Sequence, residues 1–121
     1  MISKSGVRAR IAHARLAERR RVRREELTPG EALAEVVAVI GGNHWPATIR
    51  NISTAGVGLL LDPRLTPDTL LSVELRNATG TFSCMHLAWV VHIAPAAEGQ
   101  ILHGCRFTQD LGEEELQNLI Q

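Results

Sequence analysis

Two clusters in this chain could do chemistry on an anion. The first is Arg19-Arg20-Arg21-Val22-Arg23-Arg24, and the second is Asn51-x-Ser53-x-x-Gly56, about thirty residues downstream. Guanidinium groups pair bidentately with phosphate, read the O6/N7 edge of guanine, and stack on a base face. Short polar side chains such as Asn51 and Ser53 hydrogen-bond a ligand or their own turn. Gly56 gives the backbone freedom to take φ > 0 and to approach a bound group closely. Each cluster alone is commonplace, a solvated basic run and a polar turn; their pairing is what calls for explanation.

The formal net charge of zero conceals an asymmetry. Residues 1–24 hold nine Lys or Arg against one acid, +8, and the rest holds four bases against twelve acids, −8. Such a basic arm implies an anionic partner, and the acidic body could itself supply that charge. Residues 7–20 have helix-forming composition, but Val7, Ile11 and Leu16 recur too loosely for an amphipathic face. The reading is an arm over 1–27, partly helical and frayed, whose 19–27 portion orders on binding. Thr28-Pro29-Gly30-Glu31 then breaks the chain and allows one helical turn over 29–34.

From residue 35 the sequence becomes short apolar runs divided by turns. Strands are predicted at 36–40, 45–52, 57–61, 70–75, 81–93 and 101–107. Pro46 marks an entry or edge position, because it cannot donate to a ladder. The change of apolar phase within 81–93 predicts a bulge near 85–88. Trp45 and Trp89 are read as packing residues. Asp110 is a candidate cap for a short terminal helix whose Leu116, Leu119 and Ile120 share a face, with Glu113, Glu114 and Glu115 at its positive end. Six close-set strands imply an antiparallel barrel or sandwich in a mainly β domain over 28–121.

Other chemistry is poorly supported. Cys84 and Cys105 sit in apolar runs and read as reduced core thiols, which suits the cytoplasm. The five histidines, His13, His44, His86, His92 and His103, lack metal-ligand spacing, and no nucleophile–base motif is present, so neither metal nor catalytic residues are assigned. No apolar run approaches the ~20 residues of a membrane span. Scarce aromatic residues argue against a stacking platform for single-stranded nucleic acid.

The two clusters, in this order and with these flanking strands, resemble the PilZ domain family, whose pattern is RxxxR followed by (D/N)xSxxG. Leu87-Ala88-Trp89-Val90-Val91 and Gly104-Cys105-Arg106-Phe107 resemble its later strands, so the likeness covers about residues 18–120. It implies a six-stranded antiparallel β-barrel and a non-enzymatic receptor for the bacterial second messenger cyclic di-GMP, with no cofactor. The ligand residues it implies are Arg19, Arg20, Arg23, Arg24, Asn51, Ser53 and Gly56. Arg20-x-x-x-Arg24 is the preferred register and Arg19-x-x-x-Arg23 the other. In the family the residue before the motif influences whether one nucleotide or an intercalated pair binds, a role that would fall to Arg19. By resemblance Asn51 would bond a guanine edge and Ser53 a phosphate or base, while the arm would close over them and signal to a protein partner; a homodimer stays open. The rival readings are a nucleotide-independent adaptor of the same fold and a small β-barrel that binds nucleic acid through the arm.

Overall fold

The computed structural model describes residues 25–26 and 32–120. The arginine cluster and the helical tendency at 7–20 lie outside the described residues. Among the described residues seven strands follow in order: β1 (Glu25–Glu26), β2 (Leu33–Ala38), β3 (His44–Ile52), β4 (Gly56–Leu61), β5 (Leu70–Arg76), β6 (Ser83–Pro95) and β7 (Ile101–Phe107). Among the described residues one α-helix, α1 (Glu113–Ile120), follows β7, and a short 3-10 turn at Ala97–Gly99 joins β6 to β7.

Six of the strands close on themselves. β2 pairs with β3, β3 with β4, β4 with β7, β7 with β6, β6 with β5, and β5 returns to β2, every pair antiparallel. Closure explains why such short strands suffice, since it pairs nearly all main-chain edges and leaves the end of β3 to β1. The barrel reading of the strand pattern therefore holds, and the sandwich is excluded.

The alternation written in the sequence fills the interior. Val36, Ile49, Ile52, Val57, Leu59, Leu71, Val73, Leu75 and Val90 all point inward and are 0–1% exposed. Burying each such side chain is worth about 1.5–3 kcal/mol, so this layer dominates the stability of the barrel.

Several boundaries differ from expectation. β2 begins at Leu33, so the helical turn expected over 29–34 does not form in its described part: Ala32 is a bend and Leu33 is already paired with both β3 and β5. β2 also stops at Ala38. Val39 and Ile40 belong to the turn, and Ile40 is 90% exposed at its tip. Gly41 (φ 98°) and Gly42 (φ 75°) make that reversal possible. Pro46 lies, as expected, at the entry of β3, before the strand meets β4 at Thr48.

β6 keeps one unbroken register against β5 from Ser83 to Trp89, which removes the bulge expected near 85–88. The shift occurs further on, between Val90 and His92 against β7. The apolar run at 87–91 is thus not buried throughout. Ala88 and Val90 face inward, whereas Leu87, Trp89 and Val91 are 44%, 43% and 49% exposed. Trp45 does pack partly against the core; Trp89 does not, and its indole is turned to the outer surface.

The thiols behave as reduced core groups: Cys105 is buried and Cys84 half-buried, and neither is bridged. Burial pushes Cys105 up to about 12, and burial together with the Glu115 charge pushes Cys84 up to about 11. Among the histidines, His103 is fully buried, at 0% exposed. Its Nε2 accepts from the Leu65 N–H at 3.1 Å, so Nδ1 carries the proton and donates to the Ile101 carbonyl at 3.1 Å.

α1 starts three residues after the expected cap at Asp110. The Gly112 carbonyl takes the first helical bond from Leu116, and the Glu115 carboxylate reaches back to the Gly112 N–H at 3.0 Å. Leu116 and Leu119 insert into the core with Ile120 packed beside them, while the Asn118 carbonyl accepts from Asn77 Nδ2.

Candidate functional site

The turn between β3 and β4 is held by one buried hydroxyl. Ser53 is 1% exposed, and its Oγ accepts from the Ala55 and Gly56 N–H groups, each at 3.2 Å. The Ser53 N–H closes the turn on the Gly56 carbonyl at 2.9 Å. Ser53→Ala leaves two part-buried donors without this acceptor, and a loss of about 1–3 kcal/mol in urea unfolding is expected. Ser53→Thr, which keeps the oxygen, is expected to lose less.

Gly56 is required here for a reason other than the one its sequence context suggests. Its φ lies outside the left-handed region. A Cβ added to it would overlap the Cys105 carbonyl oxygen on β7. The close approach is therefore to a neighbouring strand, and it lets β4 pair with β7 right up to the turn.

Strand register then sets two rows of side chains on the outer surface. In one, Asn51 of β3 lies opposite Gly58 of β4, Gly58 opposite Gly104 of β7, and Gly104 opposite His92 of β6. The two glycines leave room that neighbouring side chains fill. Asn51 Oδ1 would stand 2.8 Å from a Cβ on Gly58, and the His92 ring covers Gly104. In the next row Gly56 lies opposite Arg106, and Arg106 opposite Trp89. Arg106 is exposed and Trp89 is 43% exposed. A bulge between Ile49 and Asn51 brings Arg50, also exposed, onto the same flank. Two of the four arginines of the acidic body thus stand beside the Asn51–Gly56 turn.

This face offers cationic forks, an amide and an indole. Such a set can pair with phosphate, read a base edge and stack on a base. Arg106 and Trp89 were not assigned from sequence. Their signal was present, because Arg106 alternates with the inward Cys105 and Phe107, but the pairing of β6 with β7 is needed to see that it meets Trp89.

The two residues that follow the arginine cluster in sequence lie at the same place. β1 pairs antiparallel with β3, Glu25 opposite Ile52 and Glu26 opposite Asn51. β4 already occupies one edge of β3 at these residues, so β1 takes the other edge, the one β2 leaves after Thr48. Glu25 directly follows Arg24 in the chain. The main chain therefore arrives at the Asn51–Ser53 turn within one residue of the cluster's end.

A closed six-stranded antiparallel barrel followed by a short helix defines a class of small β domains. The PilZ domain family matches residues 15–121, and the chain belongs to that family. Its fold is similar to the PilZ domain of YcgR from Escherichia coli, solved with c-di-GMP (TM-score 0.62, 15% identity, covering 84% of this chain and 86% of that one). It is also similar to the inhibitor of motility MotI (DgrA) of Bacillus subtilis (TM-score 0.61, 12% identity, 81% of this chain and 46% of that one). The MrkH–c-di-GMP complex of K. pneumonia is comparable (TM-score 0.62, 18% identity, 80% and 47%). The chain thus spans about half the length of MotI and MrkH. No curated protein sequence matches it. Among the described residues no helix is long and apolar enough to cross a membrane.

Proposed function

We propose that this chain is a non-enzymatic receptor for cyclic di-GMP, made of a basic arm over 1–27 and a barrel over 28–121. The observation that carries the reading is the pairing of Glu25–Glu26 with Asn51–Ile52. It supports convergence of the two sequence clusters on one face. The nucleotide presents two phosphates and two guanines, which suits several arginines and one amide better than it suits lysines.

In this reading Arg20 and Arg24 grip phosphate and guanine O6/N7, with Arg23 beside them, and Arg19 governs whether one nucleotide or an intercalated pair is held. Asn51 bonds a guanine edge. Ser53 acts through the turn it holds, and Gly56 through the closeness of β4 to β7. Arg106 adds a further cation and Trp89 a stacking surface. Ligand phosphates offset the repulsion among the arginines, so the arm changes conformation over the Asn51 face and alters the surface shown to a protein partner. The family assignment and the nucleotide-bound YcgR and MrkH structures support the ligand class. The setting is cytoplasmic, in keeping with two unbridged thiols.

The test compares cyclic di-GMP with linear GMP and duplex DNA at two salt concentrations. Saturable binding confined to the cyclic dinucleotide is expected, with added hydrogen-exchange protection in the arm. Binding to DNA alone, with affinity falling steeply in log salt, would overturn the reading. Unchanged exchange in the arm on saturation would overturn the conformational part.

A further inference from the structure

α1 closes over the start of β6 and completes a group of three metal-ligand side chains. Cys84 and His86 alternate on the same side of β6, and Glu115 of α1 comes down on them. The Cys84 Sγ, a His86 ring nitrogen and a Glu115 carboxylate oxygen all lie within 4.8 Å of one another. The sequence conceals this set because Glu115 is 29 residues beyond His86.

We propose that Cys84, His86 and Glu115 bind one Zn²⁺ ion that ties α1 to the barrel. His86 Nε2 and Glu115 Oε2 are 3.2 Å apart. Tetrahedral zinc with N and O ligands at about 2.0–2.2 Å needs a ligand–ligand edge of roughly 3.3 Å, so these two atoms already have the required separation. Both side chains are also held in place from behind. Glu115 Oε1 accepts from the Gly112 N–H at 3.0 Å, which leaves Oε2 facing His86. The His86 ring leans on the buried Phe107 ring at a centroid distance of 5.6 Å. Outer contacts of this kind orient metal ligands and raise affinity.

The donor set selects the ion. One thiolate, one imidazole and one carboxylate match Zn²⁺, whereas Mg²⁺ and Ca²⁺ prefer oxygen throughout. All three residues are half-buried, which leaves a path for the ion and for water as the fourth ligand. On binding, the Cys84 thiol proton passes to solvent, the Nε2 proton of the His86–Glu115 hydrogen bond shifts by way of solvent to Nδ1, and the freed Nε2 and Oε2 lone pairs bond the metal. No electron is transferred.

Co²⁺ is the spectroscopic probe, added to the full chain and then displaced by Zn²⁺. The wild type is expected to give a thiolate-to-cobalt charge-transfer band and tetrahedral visible bands that Zn²⁺ abolishes. Cys84→Ser is expected to lose the charge-transfer band and Cys105→Ser to keep it. Glu115→Gln, which preserves a hydrogen bond to His86, is expected to weaken Zn²⁺ by more than about tenfold, the scale seen when even an outer partner is removed. No charge-transfer band in the wild type, or a band that persists in Cys84→Ser, would overturn the site.

Discussion

Replacing His103 with leucine is expected to cost about 3 kcal/mol or more of folding stability. The imidazole is fully buried and joins two main-chain groups far apart in sequence, the Leu65 N–H and the Ile101 carbonyl. Leucine fills the volume but leaves both part-buried groups without this partner, at about 1–3 kcal/mol each. Urea unfolding at pH 7.5 or so measures the loss, and His103→Gln, with an acceptor and a donor, is expected to recover part of it.

The same residue gives the barrel a pH dependence of definite sign. Burial, opposed by the bond to Ile101 and assisted by the Arg64 charge, lowers its pKa below the ordinary 6.5. As pH falls, the unfolded chain therefore takes up the proton before the folded one does. The contribution is complete above pH 6.5 and declines below it, until the lowered folded value is passed. The wild type minus His103→Gln difference in stability should shrink as pH falls below 6.5. A difference that stays constant would show that His103 does not titrate differently in the two states.

Gly56→Ala is the second large effect. The added methyl meets the Cys105 carbonyl, which is main chain of a paired strand and cannot swing aside. β4 and β7 must separate at the turn, and overpacking of this sort costs about 1–3 kcal/mol. Nucleotide binding is expected to fall with it, because the turn carrying Asn51 and Ser53 is displaced. Gly58→Ala makes an instructive comparison. There the methyl meets the Asn51 side chain, with Oδ1 at 2.8 Å, and a side chain can rotate. Gly58→Ala should keep most of the stability and still lose about tenfold in nucleotide affinity, or about 1.4 kcal/mol. Equal effects of the two substitutions on stability and binding would contradict this account.

Much of this molecule could be read from sequence because the signals are local. Period-two alternation and Gly/Pro turns located the barrel strands to within a few residues, and the Asn51–Gly56 turn lies between β3 and β4 as expected. What escaped depends on partners distant in the chain. The exposure of Trp89 follows from the unbroken β5–β6 register, which an apolar run cannot reveal. Gly56 looked like a turn glycine seeking positive φ, yet its constraint comes from Cys105, across the sheet. His103 looked like any histidine on a strand until Leu65 was brought against its Nε2. The Cys84–His86–Glu115 group is likewise invisible until α1 folds back.

The central claim is that the arginine cluster and the Asn51 face act together on one cyclic dinucleotide. Isothermal titration of cyclic di-GMP into the wild type and Arg24→Ala, at moderate salt and matched folded fraction, tests it most directly. The account predicts saturable wild-type binding at a ratio near one or two, and a loss of about 2 kcal/mol or more in Arg24→Ala, the scale of a truncated charge-assisted contact. Equal affinity in the two proteins, or no heat with the wild type, would contradict it.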